Sequence, residues 1–172
     1  NTNITGTFNT AIGAEALQMT TASSNTAVGY QALEESTTGS SNVAVGATAL
    51  AANTTGASNV ALGTNALTAN TTANNNTAVG TSSLLVNTTG ASNVALGTNA
   101  LVANTTAASN TAVGANALKA NTTGGNNIAV GDSALLANTT ALNNIGIGVA
   151  SLLVNTTGAS NIAIGTSALR AN

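Results

Sequence analysis

The sequence contains no cysteine, histidine or proline, and aromatic side chains make up only 1% of it. Charged side chains make up another 3%. Histidine and cysteine supply many of the bases, nucleophiles and metal ligands of enzymes, and the few acidic residues here do not recur with any period. We therefore expect a protein that is not an enzyme and has no catalytic residue, metal site or cofactor. The lack of cysteine leaves the redox compartment open.

Basic side chains and long apolar runs are also scarce. Lys119 and Arg170 are the only basic residues, against four acidic ones. No basic stripe exists that could neutralise phosphates, so we expect no nucleic-acid partner. The apolar residues are scattered among Asn, Thr and Gly, and no run approaches the roughly 20 residues that a membrane helix requires. We therefore expect no membrane span.

One motif, Asn-x-Ala-aliphatic-Gly, recurs through the chain every 17 residues, with Gly146 replacing Ala in one unit. It begins at Asn9, Asn25, Asn42, Asn59, Asn76, Asn93, Asn110, Asn127, Asn144 and Asn161. The first step is one residue shorter. We place the missing residue at the Asn that elsewhere precedes Thr-Thr, so that Met19-Thr20-Thr21 replaces Asn53-Thr54-Thr55. The repeat predicts one domain over residues 1–172, and because it is already under way at the first residue we expect a piece of a longer protein.

The residue types of the repeat favour strands and turns over helices. Val, Ile and Thr crowd the motif, Gly closes it, and Asn-Thr-Thr follows. We predict an all-β fold, a parallel β-solenoid of ten 17-residue coils. Equivalent residues of successive coils would stack about 4.8 Å apart on parallel strands. Identical side chains would then form ladders along the rod.

Alternation within each strand predicts two sets of side chains. In residues 42–46 (Asn-Val-Ala-Val-Gly) the valines share one side, and Ala shares the other with Asn. One side fills the coil interior, and the other would be a hydrophobic strip that meets a partner chain. The alternative is a flattened coil that buries both sides. The candidate oligomer face is the Ala ladder of Ala44, Ala61, Ala78, Ala95, Ala112, Ala129 and Ala163. A Leu ladder that begins at Leu17 would line the second wall of the coil.

The Asn-Thr-Thr segments carry two further sets of candidate residues. Each Asn opens a glycosylation sequon, although stacked Asn side chains in a turn would give the same regularity. The candidate glycosylation sites are Asn53, Asn70, Asn87, Asn104, Asn121, Asn138 and Asn155. The candidate surface Thr ladder is Thr54, Thr71, Thr88, Thr105, Thr122, Thr139 and Thr156. A flat Thr row could order water, so ice binding by a Thr/Asn ladder face is an alternative function. The rhythm of the motif also resembles certain plant ice-binding β-rolls.

Several units resemble the Asn-Ser-Val-Ala-Ile-Gly repeats in the heads of trimeric autotransporter adhesins: residues 42–46, 127–131 and 161–165. Residues 25–33 (Asn-Thr-Ala-Val-Gly-Tyr-Gln-Ala-Leu) are similar to the repeats of phage tail-fibre-like proteins. The resemblance implies a left-handed β-roll, association of three chains into a fibre, and an extracellular, cell-surface or virion location. It also implies a cell-surface or glycan ligand as a candidate partner.

Together these observations predict a structural segment of a longer fibre or adhesin, a rod that spaces or presents binding ends. The predicted partner is a second copy of the chain, with a homotrimer favoured. Because neither terminus shows a distinct polar cap, a second alternative is a subunit that stacks end to end into an extracellular filament.

Overall fold

The computed structural model describes residues 2–3 and 5–171; residues 1, 4 and 172 of the predicted domain lie outside this range. Every regular element in the described part is a short β-strand, as the Val, Ile and Thr content predicts. The strands are β1 (Thr2–Asn3), β2 (Thr10–Ile12), β3 (Met19–Thr20), β4 (Thr26–Val28), β5 (Val43–Val45), β6 (Val60–Leu62), β7 (Thr77–Val79), β8 (Val94–Leu96), β9 (Thr111–Val113), β10 (Ile128–Val130), β11 (Ile145–Ile147) and β12 (Ile162–Ile164).

Ten of these strands form one parallel sheet in chain order, from β2 and β4 through to β12. Each motif position pairs with the same position of the next unit: Ala44 of β5 lies opposite Ala61 of β6. The chain therefore returns to the same place after each 17-residue unit and makes about nine turns. The predicted parallel β-solenoid is confirmed.

The short first unit has a different register from the one predicted. Strand β1 pairs in parallel with β3, and Asn3 lies opposite Thr20. Thr20 is buried, and Thr21 donates from its hydroxyl to the Thr37 carbonyl, as Thr37 does to the Thr54 carbonyl. Thr20 therefore occupies the inward Asn position, and the residue that this unit lacks is the second Thr of the exposed turn. Omitting a turn residue keeps the interior filled.

The interior is a thin layer between two walls. The middle residues of β4 to β10, all alanines, are fully buried on one wall, and the Leu ladder from Leu33 to Leu152 is fully buried on the other. Gly146 marks how closely the walls approach: a Cβ built there would lie 3.0 Å from Ser151 Oγ and 3.3 Å from Leu135 Cγ. Small residues on the sheet wall therefore leave room for the leucines opposite, which supply most of the buried apolar surface.

Two ladders of buried Asn side chains complete the interior. The motif Asn76 accepts the backbone N–H of Asn93 on Oδ1 at 2.9 Å and donates from Nδ2 to the Gly90 carbonyl at 2.9 Å. The same pair of bonds recurs in the neighbouring coils. Buried amides are costly unless their hydrogen bonds are made, and here each Asn bonds both its own coil and the next. The hydrogen bonds of these ladders therefore link each coil to the next from inside the fold.

Candidate interaction surface

The outer side of the ten-stranded sheet is the most continuous apolar surface of the rod. It is formed by the first and third residues of β2 and β4–β12, and we call it the sheet face. The third position is aliphatic in every strand, and the first is Thr, Val or Ile. Seven of its aliphatic side chains are exposed, from 36% at Leu62 to 70% at Ile164 in the last strand, and its other aliphatic side chains are half-buried. The sheet face is therefore an aliphatic strip open to solvent in the single chain.

No charged residue lies on the sheet face. All six charged side chains stand at turn positions or after the core leucines, outside the strands. Ten strands at the usual spacing give a strip about 45 Å long, with an area on the order of 500 Å². A single uncharged patch of this size is at the upper end of what a monomer normally exposes, and such patches often mark contact sites.

The Ala ladder is not this surface. Ala44, Ala95 and their equivalents are fully buried, and Ala163 is 2% exposed. The alternation between the two sides of each strand is as predicted, but the side that carries Asn and Ala faces inward. Only that side can satisfy the Asn amides, through the bonds to the neighbouring coils. The oligomer face predicted at Ala44, Ala61, Ala78, Ala95, Ala112, Ala129 and Ala163 is therefore wrong, and the aliphatic residues on either side of each Ala point outward instead.

The predicted glycosylation sites lie inside the coil. Six of the seven sequon Asn residues are fully buried, and Asn155 is 1% exposed. Nδ2 of Asn104, the atom that a glycan would modify, donates to Asn87 Oδ1 at 2.8 Å and to the Ala107 carbonyl at 3.0 Å. A sugar on this nitrogen has no room in the folded coil. The sequons at Asn53, Asn70, Asn87, Asn104, Asn121, Asn138 and Asn155 are therefore structural positions in this fold.

The sequon ladder predicts a measurable loss of stability for Asn104→Ala. The change removes two donated hydrogen bonds and leaves Asn121 Nδ2 without its 3.0 Å bond to Asn104 Oδ1. We expect the free energy of unfolding to fall by about 1–3 kcal/mol, the cost of a buried polar group left unpaired. Urea denaturation followed by circular dichroism measures it. Thr106→Ala, on the exposed neighbouring turn, is the control, and an equal loss in both would contradict the ladder.

The predicted surface Thr ladder is only partly exposed. Thr54 to Thr139 are half-buried, and only Thr156 at the end of the row is exposed. The hydroxyls of Thr54 to Thr139 donate to main-chain carbonyls of the next coil, as Thr105 Oγ1 does to Thr122 O at 3.1 Å. The sequence did not single out the row that is exposed. It is formed by the second Thr of each pair from residues 37–38 onward: Thr38, Thr55, Thr72, Thr89, Thr106, Thr123, Thr140 and Thr157.

The few ionisable and aromatic side chains form no comparable surface. Tyr30 is exposed beside Glu15, whose negative charge raises the pKa of the Tyr30 phenol above its ordinary value, with lesser contributions from desolvation, a hydrogen bond to Glu15 and the charge of Glu34. Across residues 2–3 and 5–171, no three His, Cys, Asp or Glu side chains are grouped so that they could hold a metal ion.

The fold and this surface define a β-solenoid with an aliphatic outer face. Comparison with known proteins adds no relative: no family model matches the chain, and neither the curated proteins nor the solved structures searched give a match. Within the described residues, no helix has the length and apolar character needed to cross a membrane.

Proposed function

We propose that this chain is a non-enzymatic structural segment of an extracellular or virion fibre, a β-solenoid rod that spaces or presents binding ends. In this proposal, copies of the chain associate side by side through the sheet face, with three copies favoured by the resemblance to trimeric adhesin heads. The observation that carries it is the continuous aliphatic sheet face without a single charge. The near-absence of catalytic residue types supports a structural role.

The energetic reason for association is the apolar area that the sheet face leaves in water. Burying such area contributes about 25 cal/mol per Å² before the costs of association are subtracted. A rod also offers an aliphatic third residue at every strand of the sheet face, so a contact that is favourable in one coil has an equivalent in the next. Many weak contacts of this kind add up to a stable side-by-side assembly.

The test is a charge placed in the middle of the sheet face. Leu96 is the third residue of β8 and points outward, partly exposed. We expect Leu96→Asp to lower the mass of the particle in solution to that of one chain, because a charge in an apolar contact costs several kcal/mol. Sedimentation velocity measures the mass, and circular dichroism checks that the coil remains folded.

The matched control is Thr98→Asp, two residues away at an exposed turn position. Its particle should keep the mass of the unmodified protein. If Leu96→Asp remained folded and kept that mass too, the sheet face would not be the contact between copies.

The exposed row of second threonines favours one alternative, ice binding. Eight Thr side chains, from Thr38 to Thr157, stand outside the coil at one per turn. The sequon Asn residues cannot take part because they are buried. Thermal hysteresis of the purified protein decides this alternative. The fibre proposal predicts none, and activity that is lost in Thr89→Tyr would favour ice binding.

A further inference from the structure

A second apolar surface lies on the other wall of the coil. It is formed by the two residues that follow each core leucine between Ala51 and Val154, and we call it the post-leucine face. Val86 is 39% exposed and Val154 48%, whereas most of the others are half-buried. Lys119 is its only charged member.

The two faces lie on different walls of the coil. The inner side of the sheet wall packs on the leucine wall, as the position of Gly146 next to Leu135 shows. Polar residues separate the faces at both corners in most coils: Thr98 and Asn99 follow the strand at one corner, and Thr105 and Thr106 follow the sequon Asn at the other. The coil of β11 is an exception, with Val149 and Ala150 at the first corner. The rod therefore carries two distinct apolar strips and not one broad one.

We propose that in the assembly the sheet face of one copy packs on the post-leucine face of the next, coil for coil, with the rods parallel. The proposal rests on the side-by-side association proposed above and names its geometry. A contact of this kind is heterologous, because each copy contributes a different surface. It contrasts with a two-fold contact in which the sheet face packs on itself.

The apolar area favours the heterologous contact. The sheet face spans ten strands and the post-leucine face seven coils. At the usual strand spacing the smaller face covers about 350 Å², so one contact buries about 700 Å² in total, and a copy that makes the contact through both of its faces buries about 700 Å² of its own surface. A two-fold contact through the sheet face buries about 1,000 Å² in total, which is only about 500 Å² of each copy, and it leaves every post-leucine face in water. The heterologous contact covers both strips of each inner copy with one repeated interaction.

Charge and side-chain size also favour the heterologous contact. The sheet face has no charge, so Lys119 and the flanking Glu34 meet no like charge on it. Parallel packing of the post-leucine face on itself would place each of these side chains opposite its own copy, which is repulsive. The sheet face presents Val, Leu and Ile, whereas the post-leucine face is rich in Ala, as at Ala51 and Ala52. Large side chains can therefore sit over small ones in every coil of this face except those of Leu85–Val86 and Leu153–Val154.

Cysteine cross-linking tests the geometry, because the chain has no cysteine of its own. Leu96→Cys places one thiol on the sheet face, and Val102→Cys places one on the post-leucine face of the same unit. A disulfide requires Cα atoms about 4.4–6.8 Å apart, so only residues in direct contact are joined. We expect a mixture of the two single variants to form disulfide dimers on mild oxidation, and the double variant to form covalent oligomers up to the size of the native particle.

The control is Thr106→Cys, which lies on the exposed turn and reports random collisions. Each single variant alone should form no larger fraction of disulfide dimers than this control. Leu85→Cys and Lys119→Cys, mixed with Leu96→Cys, test a register shifted by one coil in either direction. The proposal is overturned if a single variant cross-links to itself above the collision control, or if none of the three mixtures cross-links. The cross-linking results test the geometry only if the native particle contains more than one chain. A native mass of one chain would refute the proposed association itself.

Discussion

Ala95→Asp is expected to unfold the protein and not merely to dissociate it. Ala95 is fully buried in β8, between Ala78 and Ala112 of the neighbouring strands. An aspartate there would lie in an interior whose neighbours are alanine, leucine and paired Asn side chains. The effective penalty for burying an unpaired charge is several kcal/mol, which is comparable with the whole stability of many domains. Far-ultraviolet circular dichroism at neutral pH measures the loss of structure.

Leu96→Asp is the matched control, because it places the same charge on the next residue of the same strand but on the outward side. This variant should retain the strand signal of the unmodified protein. The opposite results would contradict this orientation. If the Ala ladder faced outward, Ala95→Asp would remain folded as single chains, whereas Leu96→Asp would unfold.

The second large effect is expected for Gly97→Ala. Gly97 closes its strand with φ of 135°, a backbone region that L residues rarely adopt. A Cβ at this position would lie 2.5 Å from the carbonyl oxygen of Gly114 in the next coil. Backbone strain and overpacking together should lower the free energy of unfolding by about 2–6 kcal/mol. Thermal or urea denaturation measures the change.

Gly165→Ala separates the two causes. Gly165 has a similar φ of 123°, but a Cβ there would meet no atom within 4 Å. This variant carries the backbone strain without the clash, so it should lose clearly less stability than Gly97→Ala. Equal losses would mean that the coils are not stacked as closely as the geometry requires.

The repeat, the strands and the parallel stacking were predictable because they follow from period and alternation alone. Which side of the strand faces inward was not, since both sides carry apolar residues and alternation separates them without orienting them. The sequence nevertheless contains one indication of which side faces outward. The position after the motif Asn changes between Thr, as at Thr77, and Val, as at Val94, whereas the Asn and Ala positions hardly change. Freedom to exchange Thr for Val is typical of a surface strip.

The backbone of the turns was also beyond sequence reasoning. Every leucine of the Leu ladder has a positive φ, between 46° at Leu169 and 54° at Leu67. Leucine has no intrinsic preference for this left-handed region, which costs roughly 1–2 kcal/mol for a residue with a Cβ. Burying the side chain contributes about 1.5–3 kcal/mol and offsets that cost. Tertiary packing therefore overrides the backbone preference of leucine, and the sequence of a single coil does not reveal this left-handed conformation.

Static light scattering of the purified chain, over a range of concentrations, tests the central claim most directly. The claim is that the sheet face of this solenoid is covered by further copies of the same chain. It predicts a particle whose mass is a multiple of the 16.3 kDa chain, near 49 kDa for the favoured trimer. A stable mass of 16.3 kDa at all concentrations would contradict it, because the aliphatic sheet face would then remain in water.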